Sequence, residues 1–124
     1  MPPFKTSLRL FFGLFLFVFG LNRFLQFMPL PPLSEAATNL MQAFIDSGYI
    51  MTVVAIVQIV CGLLLLFNRF TALALVLIFP ILVNAFLFHL FLDFSGIAGA
   101  TVAIAMNSTL FYLHKENYQS ILTN

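Results

Sequence analysis

Residues 8–33 read LRLFFGLFLFVFGLNRFLQFMPLPPL. From Leu8 to Met28 the run is apolar apart from Arg9, Asn22, Arg23 and Gln26. As a helix rising 1.5 Å per residue, these 21 residues reach about 31 Å, the thickness of a bilayer's hydrocarbon core. Lys5 and Arg9 ahead of LFFGLFLFVFGL imitate a signal peptide, with Ser34 and Ala36 as the small residues of a cleavage site. Those small residues lie too far beyond the apolar run, and bulky Arg23, Phe24, Phe27 and Met28 intervene. The stretch therefore reads as an uncleaved first span. PLPPL, residues 29–33, carries three prolines, which forbid a continuing helix and favour extended backbone.

The rest of the chain has the same character. Of 124 residues, 62% are hydrophobic and 7% charged, against roughly 45–50% and about 25% in soluble domains. Five basic and four acidic side chains are too few to disperse so apolar a surface in water. A multi-span membrane protein needs no such charge. The net charge of +1 gives nucleic acid nothing to grip. A single cysteine, Cys61, excludes an internal disulfide, a paired-cysteine redox motif and a multi-cysteine metal site. It reads as a small packing residue.

Further spans follow at 49–67, 70–92 and 97–113. Ser34 is placed to cap a short amphipathic helix over about 35–47, where Leu40, Met41, Phe44 and Ile45 recur at helical spacing between Asn39, Gln42 and Asp46. Gly48 ends it, and Asn68-Arg69 and Asp93–Gly96 are tight polar turns. The fold expected is an all-α membrane protein. It is a single domain, an antiparallel four-helix transmembrane bundle with an interfacial helix between spans 1 and 2. Four spans put both termini on one side, with Lys5, Arg9, Arg69 and Lys115; Glu35, Asp46 and Asp93 fall on the other. The excess of lysine and arginine marks the cytoplasm.

Arg23 does not fit that flank pattern. It lies about 7 Å inside the outer end of the first span, where a charge is costly unless it pairs, snorkels or meets water. Asn22 and Gln26, four apart, share a face there. Asn84 and His89 lie toward the outer end of the third span, and Gln58 and Asn107 nearer the middle of theirs. Together, Asn22, Arg23, Gln26, Gln58, Asn84, His89 and Asn107 are expected to line a polar, ligand-binding chamber open to the outer side. Glu35 and Asp46 are candidate counter-ions for Arg23. The competing reading is plainer: amides holding helices together by interhelical hydrogen bonds, and an arginine reaching for lipid headgroups. Neither a phosphate-binding lysine loop nor a dinucleotide glycine fingerprint occurs. His89 and His114 are expected on opposite membrane faces, which argues against a two-histidine haem or a zinc site.

The order LRLFFGLFLFVFGLNRFLQF, IVQIVCGLLLLFNRFTALAL, PILVNAFLFHLFLD resembles the DoxX-like family of small four-span membrane proteins over roughly residues 8–113. The elements carrying the resemblance are Arg9 with Gly13 and Gly20, then Gln58 and Gly62 before Asn68-Arg69, then Pro80, Asn84 and His89. The resemblance implies an antiparallel four-helix bundle and a link to membrane redox complexes. The family takes its name from a subunit of a thiosulfate:quinone oxidoreductase. It transfers no reaction: no second cysteine and no evident cofactor ligands are present in the chain alone, although quinone is a candidate ligand. Three functions follow as expectations. The first is a non-catalytic accessory or structural subunit of a membrane complex in the bacterial inner membrane. The second is a quinone- or lipid-binding redox protein. The third is a small-solute transporter acting as an oligomer. Expected partners are membrane lipids and either another membrane protein or further copies of the chain, with no role for nucleic acid.

Overall fold

A computed structural model of the protein describes residues 2–27 and 32–122. Residues 29–31 of the proline segment, and the extended backbone expected of them, lie outside the described residues. The main helices are α1 (Pro2–Leu25), α2 (Glu35–Asp46), α3 (Ile50–Leu66), α4 (Thr71–Phe91) and α5 (Ile97–Leu113). A 3-10 turn, Phe94–Gly96, precedes α5, and another, Lys115–Tyr118, leads to a last short helix, α6 (Gln119–Leu122). Among the described residues there is no strand.

The protein is thus all-α, and its helices are built for lipid. Three stretches are long and apolar enough to cross a membrane: Phe4–Leu25, Thr71–Phe91 and Phe94–Leu113. The count rises to four if α2 and α3, which meet at 90°, are taken as one broken span. By itself α3 has 17 residues, about 26 Å of helix, which is just short of the usual hydrocarbon thickness.

Local chemistry sets the boundaries. Ser34 accepts the Ala37 amide at 3.2 Å and so caps α2, as its position suggests. The same hydroxyl donates to the Leu92 carbonyl at the end of α4, pinning the start of α2 there. At the other end Ser47 Oγ accepts the Ile50 amide at 3.2 Å, and Gly48 takes φ +85°, a backbone open to glycine at no steric cost, which allows the sharp entry into α3. The α3–α4 turn uses Asn68 at φ +55°, whose Oδ1 accepts from Thr71 Oγ1 at 3.0 Å.

Helix α1 packs on α3, α3 on α4, α4 on α5, and α5 closes back on α1. Phe12, Leu16, Cys61, Leu65, Leu75, Ile78 and Leu110 form the core of this ring. The α1–α3 seam is the tightest. A Cβ on Gly62 would sit 2.7 Å from Phe17 N and 2.8 Å from Gly13 O; one on Gly20 would sit 2.7 Å from Ile59 Cγ1. Close backbone approach through small residues is how helices gain dispersion contacts where no hydrophobic effect drives them together.

One end of the ring is tied by an arginine and a tyrosine. Arg9 Nη1 donates to the Leu65 carbonyl in the last turn of α3, which also accepts the Asn68 amide at 3.3 Å. Tyr118 Oη donates to the Ala72 carbonyl at 2.9 Å, and its ring stands edge-on to Phe111. Burial raises the Tyr118 phenol to about 12. Burial also lowers His114 from the ordinary imidazole range; the Leu110 carbonyl at 2.9 Å opposes this, and the nearby charges of Lys5 and Arg9 add to it. The start of α1, the end of α3, the start of α4 and the end of α5 are therefore gathered together.

Candidate functional site

The polar groups inside these helices arise from neighbouring turns of facing elements. Asn22 and Arg23 occupy the last turn of α1, and Gln58 lies in the middle of α3. The close approach at Gly20, whose missing side chain would meet Ile59 and Gln58, brings them into reach. Arg23 Nε donates to Gln58 Oε1 at 3.1 Å, a bond across the α1–α3 seam. Gln58 is buried, Asn22 is buried beside them, and Arg23 keeps part of its surface exposed. An amide oxygen is a neutral acceptor, so the guanidinium stays charged while one of its donors is satisfied.

No carboxylate joins it. Among the described residues the only contact between a basic and an acidic side chain is that of His89 Nδ1 with Asp93 Oδ2, at 3.9 Å. Glu35 is exposed in the first turn of α2, and Asp46 accepts from Gln42 Nε2 at 2.9 Å. Pairing of Arg23 with either acid is therefore corrected. The reason lies in Ser34, which fixes the start of α2 against the end of α4, whereas Arg23 faces α3.

The remaining residues do not gather round this pair. Gln26 follows α1, exposed, at φ +52°. His89 Nδ1 lies 3.2 Å from the Asp93 carbonyl in the α4–α5 turn, with its ring against Gly96. Asn84 is exposed on α4. At 100° per residue it shares its face with Leu77, Pro80 and Phe91; the buried Thr71, Leu75, Ile78 and Leu82 lie on the far side, and buried Phe88 flanks it. A chamber joining Asn84 to Gln58 is thus not formed, because the packing of α4 on α3 and α5 turns Asn84 outward.

Asn107 is the opposite case. It is fully buried in α5, and neither its Oδ1 nor its Nδ2 has a hydrogen-bond partner. A buried amide left so costs roughly 1–3 kcal/mol, and such a group in a native fold calls for an explanation. Nothing in the sequence distinguishes this asparagine from one that glues helices; only its surroundings do. Two fasteners, Arg9 on Leu65 and Tyr118 on Ala72, have no other sign in the sequence than a polar group set near one end of an apolar run.

Cys61 is buried in the core. Among the described residues, no three His, Cys, Asp or Glu side chains are grouped to hold a metal ion.

In comparisons with known proteins, the DoxX family model matches residues 4–90. No curated protein and no solved structure matches the chain.

Proposed function

The chain belongs to the DoxX family and is a multi-pass membrane protein, and from that premise we propose that it acts as a non-catalytic accessory or structural subunit of a membrane complex, with redox complexes the first to test. What supports this reading is the use made of its polar groups. Arg9 and Tyr118 fasten helix ends, Ser34 fastens α2 to α4, and Arg23 joins α1 to α3. Side chains spent on tying helices together make a scaffold. In this reading α2 lies at the interface as an amphipathic connector and α3 crosses as a fourth span, completing an antiparallel four-helix transmembrane bundle.

The test is purification from native membranes in gentle detergent. The expected result is a second membrane protein eluting with the chain at fixed stoichiometry. A chain that elutes without any other protein, carrying a bound quinone or lipid identified by mass spectrometry, overturns it.

That outcome belongs to a second reading, a quinone- or lipid-binding protein, which the orphaned amide of Asn107 favours. A quinone or ester carbonyl accepts the hydrogen bond that Asn107 Nδ2 has to give. Arg23, held by Gln58, is the other donor suited to such a group.

Orientation is proposed from charge: both termini in the cytoplasm of a bacterial cell, with Lys5, Arg9, Arg69 and Lys115 on that side of the inner membrane. A reporter fused to the C-terminus is expected to register cytoplasm, and one inserted within 35–47 periplasm. The inverse pattern rejects the orientation.

A further inference from the structure

The outward face of α4 carries a stripe at alternating spacings of four and three: Leu73, Leu77, Pro80, Asn84, Leu87 and Phe91, all exposed. This is the repeat that lets two helices pack side by side at a shallow crossing angle. Most of the stripe needs no partner but lipid. Asn84 does. It lies about 10 Å along the helix from Phe91, too deep for its short side chain to reach headgroups. Its side chain makes no hydrogen bond among the described residues. Pro80, on the same stripe, has no N–H and leaves the Val76 carbonyl without its usual helical donor. Acyl chains offer neither donors nor acceptors.

The other exposed faces differ. On α3 the outward residues Val53, Ile56 and Val60 are apolar, and the exposed polar one in its first turn, Thr52, is a hydroxyl. On α5 the polar ones are hydroxyls, which can bond back to their own helix, as Thr109 does to the Ala105 carbonyl at 2.8 Å. In α1, α3 and α5 the amides Asn22, Gln58 and Asn107 are buried. Among the described residues of these membrane helices, Asn84 is the exposed amide.

We infer that the α4 stripe is a dimer interface between two copies of this chain, centred on an Asn84–Asn84 hydrogen-bonded pair. The occupant follows from two facts of geometry. An amide is both donor and acceptor, so it complements itself across a two-fold axis. An axis along the membrane normal sets residue 84 opposite residue 84 at one depth, with Leu77, Leu87 and Phe91 meeting their own copies above and below. A foreign helix would need a polar group at that depth and register; a second copy has one by construction. The interface depends only on this face of α4, so it stands or falls separately from the accessory-subunit reading.

The test uses the full chain in lipid vesicles. Dimerisation is followed by energy transfer between labelled copies as the protein-to-lipid ratio is varied. Cysteines placed at Leu77, Leu87 or Ile56 are then oxidised to form cross-links, with the parent chain, whose single Cys61 is buried, as the blank. Leu77→Cys and Leu87→Cys are expected to cross-link and Ile56→Cys, on α3, is not. Asn84→Leu is expected to weaken dimerisation about fivefold, the equivalent of ~1 kcal/mol for one interhelical hydrogen bond, while Asn84→Gln, which keeps the amide, retains most of it. A chain that stays monomeric at every ratio, cross-linking through α3 instead of α4, or an Asn84→Leu variant that dimerises as tightly as the parent overturns the inference.

Discussion

Gly62→Ala is expected to destabilise the protein by about 2–3 kcal/mol, enough to remove much of the folded material from detergent extracts. The added methyl would lie 2.7 Å from Phe17 N and 2.8 Å from Gly13 O. Both obstacles are backbone, so no rotamer change relieves them; α1 and α3 must move apart and loosen the whole seam. Against this stands the gain of roughly 1 kcal/mol from replacing a helical glycine by alanine. The clash prevails because the seam is the closest contact in the ring and membrane helices have mainly packing to hold them. Gly99→Ala is the control. Beyond its own turns of helix, no atom lies within 4 Å of its would-be Cβ, so only the propensity gain remains and its melting temperature should hold or rise. The comparison is a thermal melt of each variant monitored by size-exclusion chromatography. A Gly62→Ala protein as stable as the parent would mean that the seam is not tight.

Gln58→Leu is expected to cost about 2 kcal/mol, in the range of a hydrogen bond to a charged group. Its Oε1 is the acceptor for Arg23 Nε at 3.1 Å, and a leucine leaves the guanidinium facing an apolar side chain. Arg23→Met should cost less, because a buried amide can still bond elsewhere while a charge in hydrocarbon cannot be left alone. The double variant should recover part of the loss, giving a coupling energy of about 1 kcal/mol or more in a double-mutant cycle. An arginine that only snorkels would make Gln58→Leu harmless and the cycle additive. Thermal melts of the four proteins separate the two cases.

The helices were legible because apolar runs of bilayer length admit few other readings, and because Ser34, Gly48 and Asn68-Arg69 announce their own local geometry. The family, too, was legible in the order of Arg9, Gly13, Gly20, Gln58 and Gly62. What those glycines do, setting α1 against α3, emerges only when the helices are docked. Facing was not legible. Helix α4 is apolar all round, so its sequence carries no amphipathic signal to say whether Asn84 turns inward. Only packing against α3 and α5 decides that, and it decides outward. The same holds for Asn107, whose burial depends on neighbours some tens of residues away. Glu35 follows Arg23 closely in the chain, but Ser34 bonds the Leu92 carbonyl at the end of α4, and α2 starts there, with no contact between Glu35 and Arg23 among the described residues.

The bond between Arg23 and Gln58 joins positions 35 apart in the chain. Neither helix can make it alone, so until α1 and α3 have docked the guanidinium depends on water or headgroups. Docking of α3 offers it a neutral oxygen. Arg23 thus makes the first helix dependent on the third: within the bundle its charge is satisfied only once the two have docked.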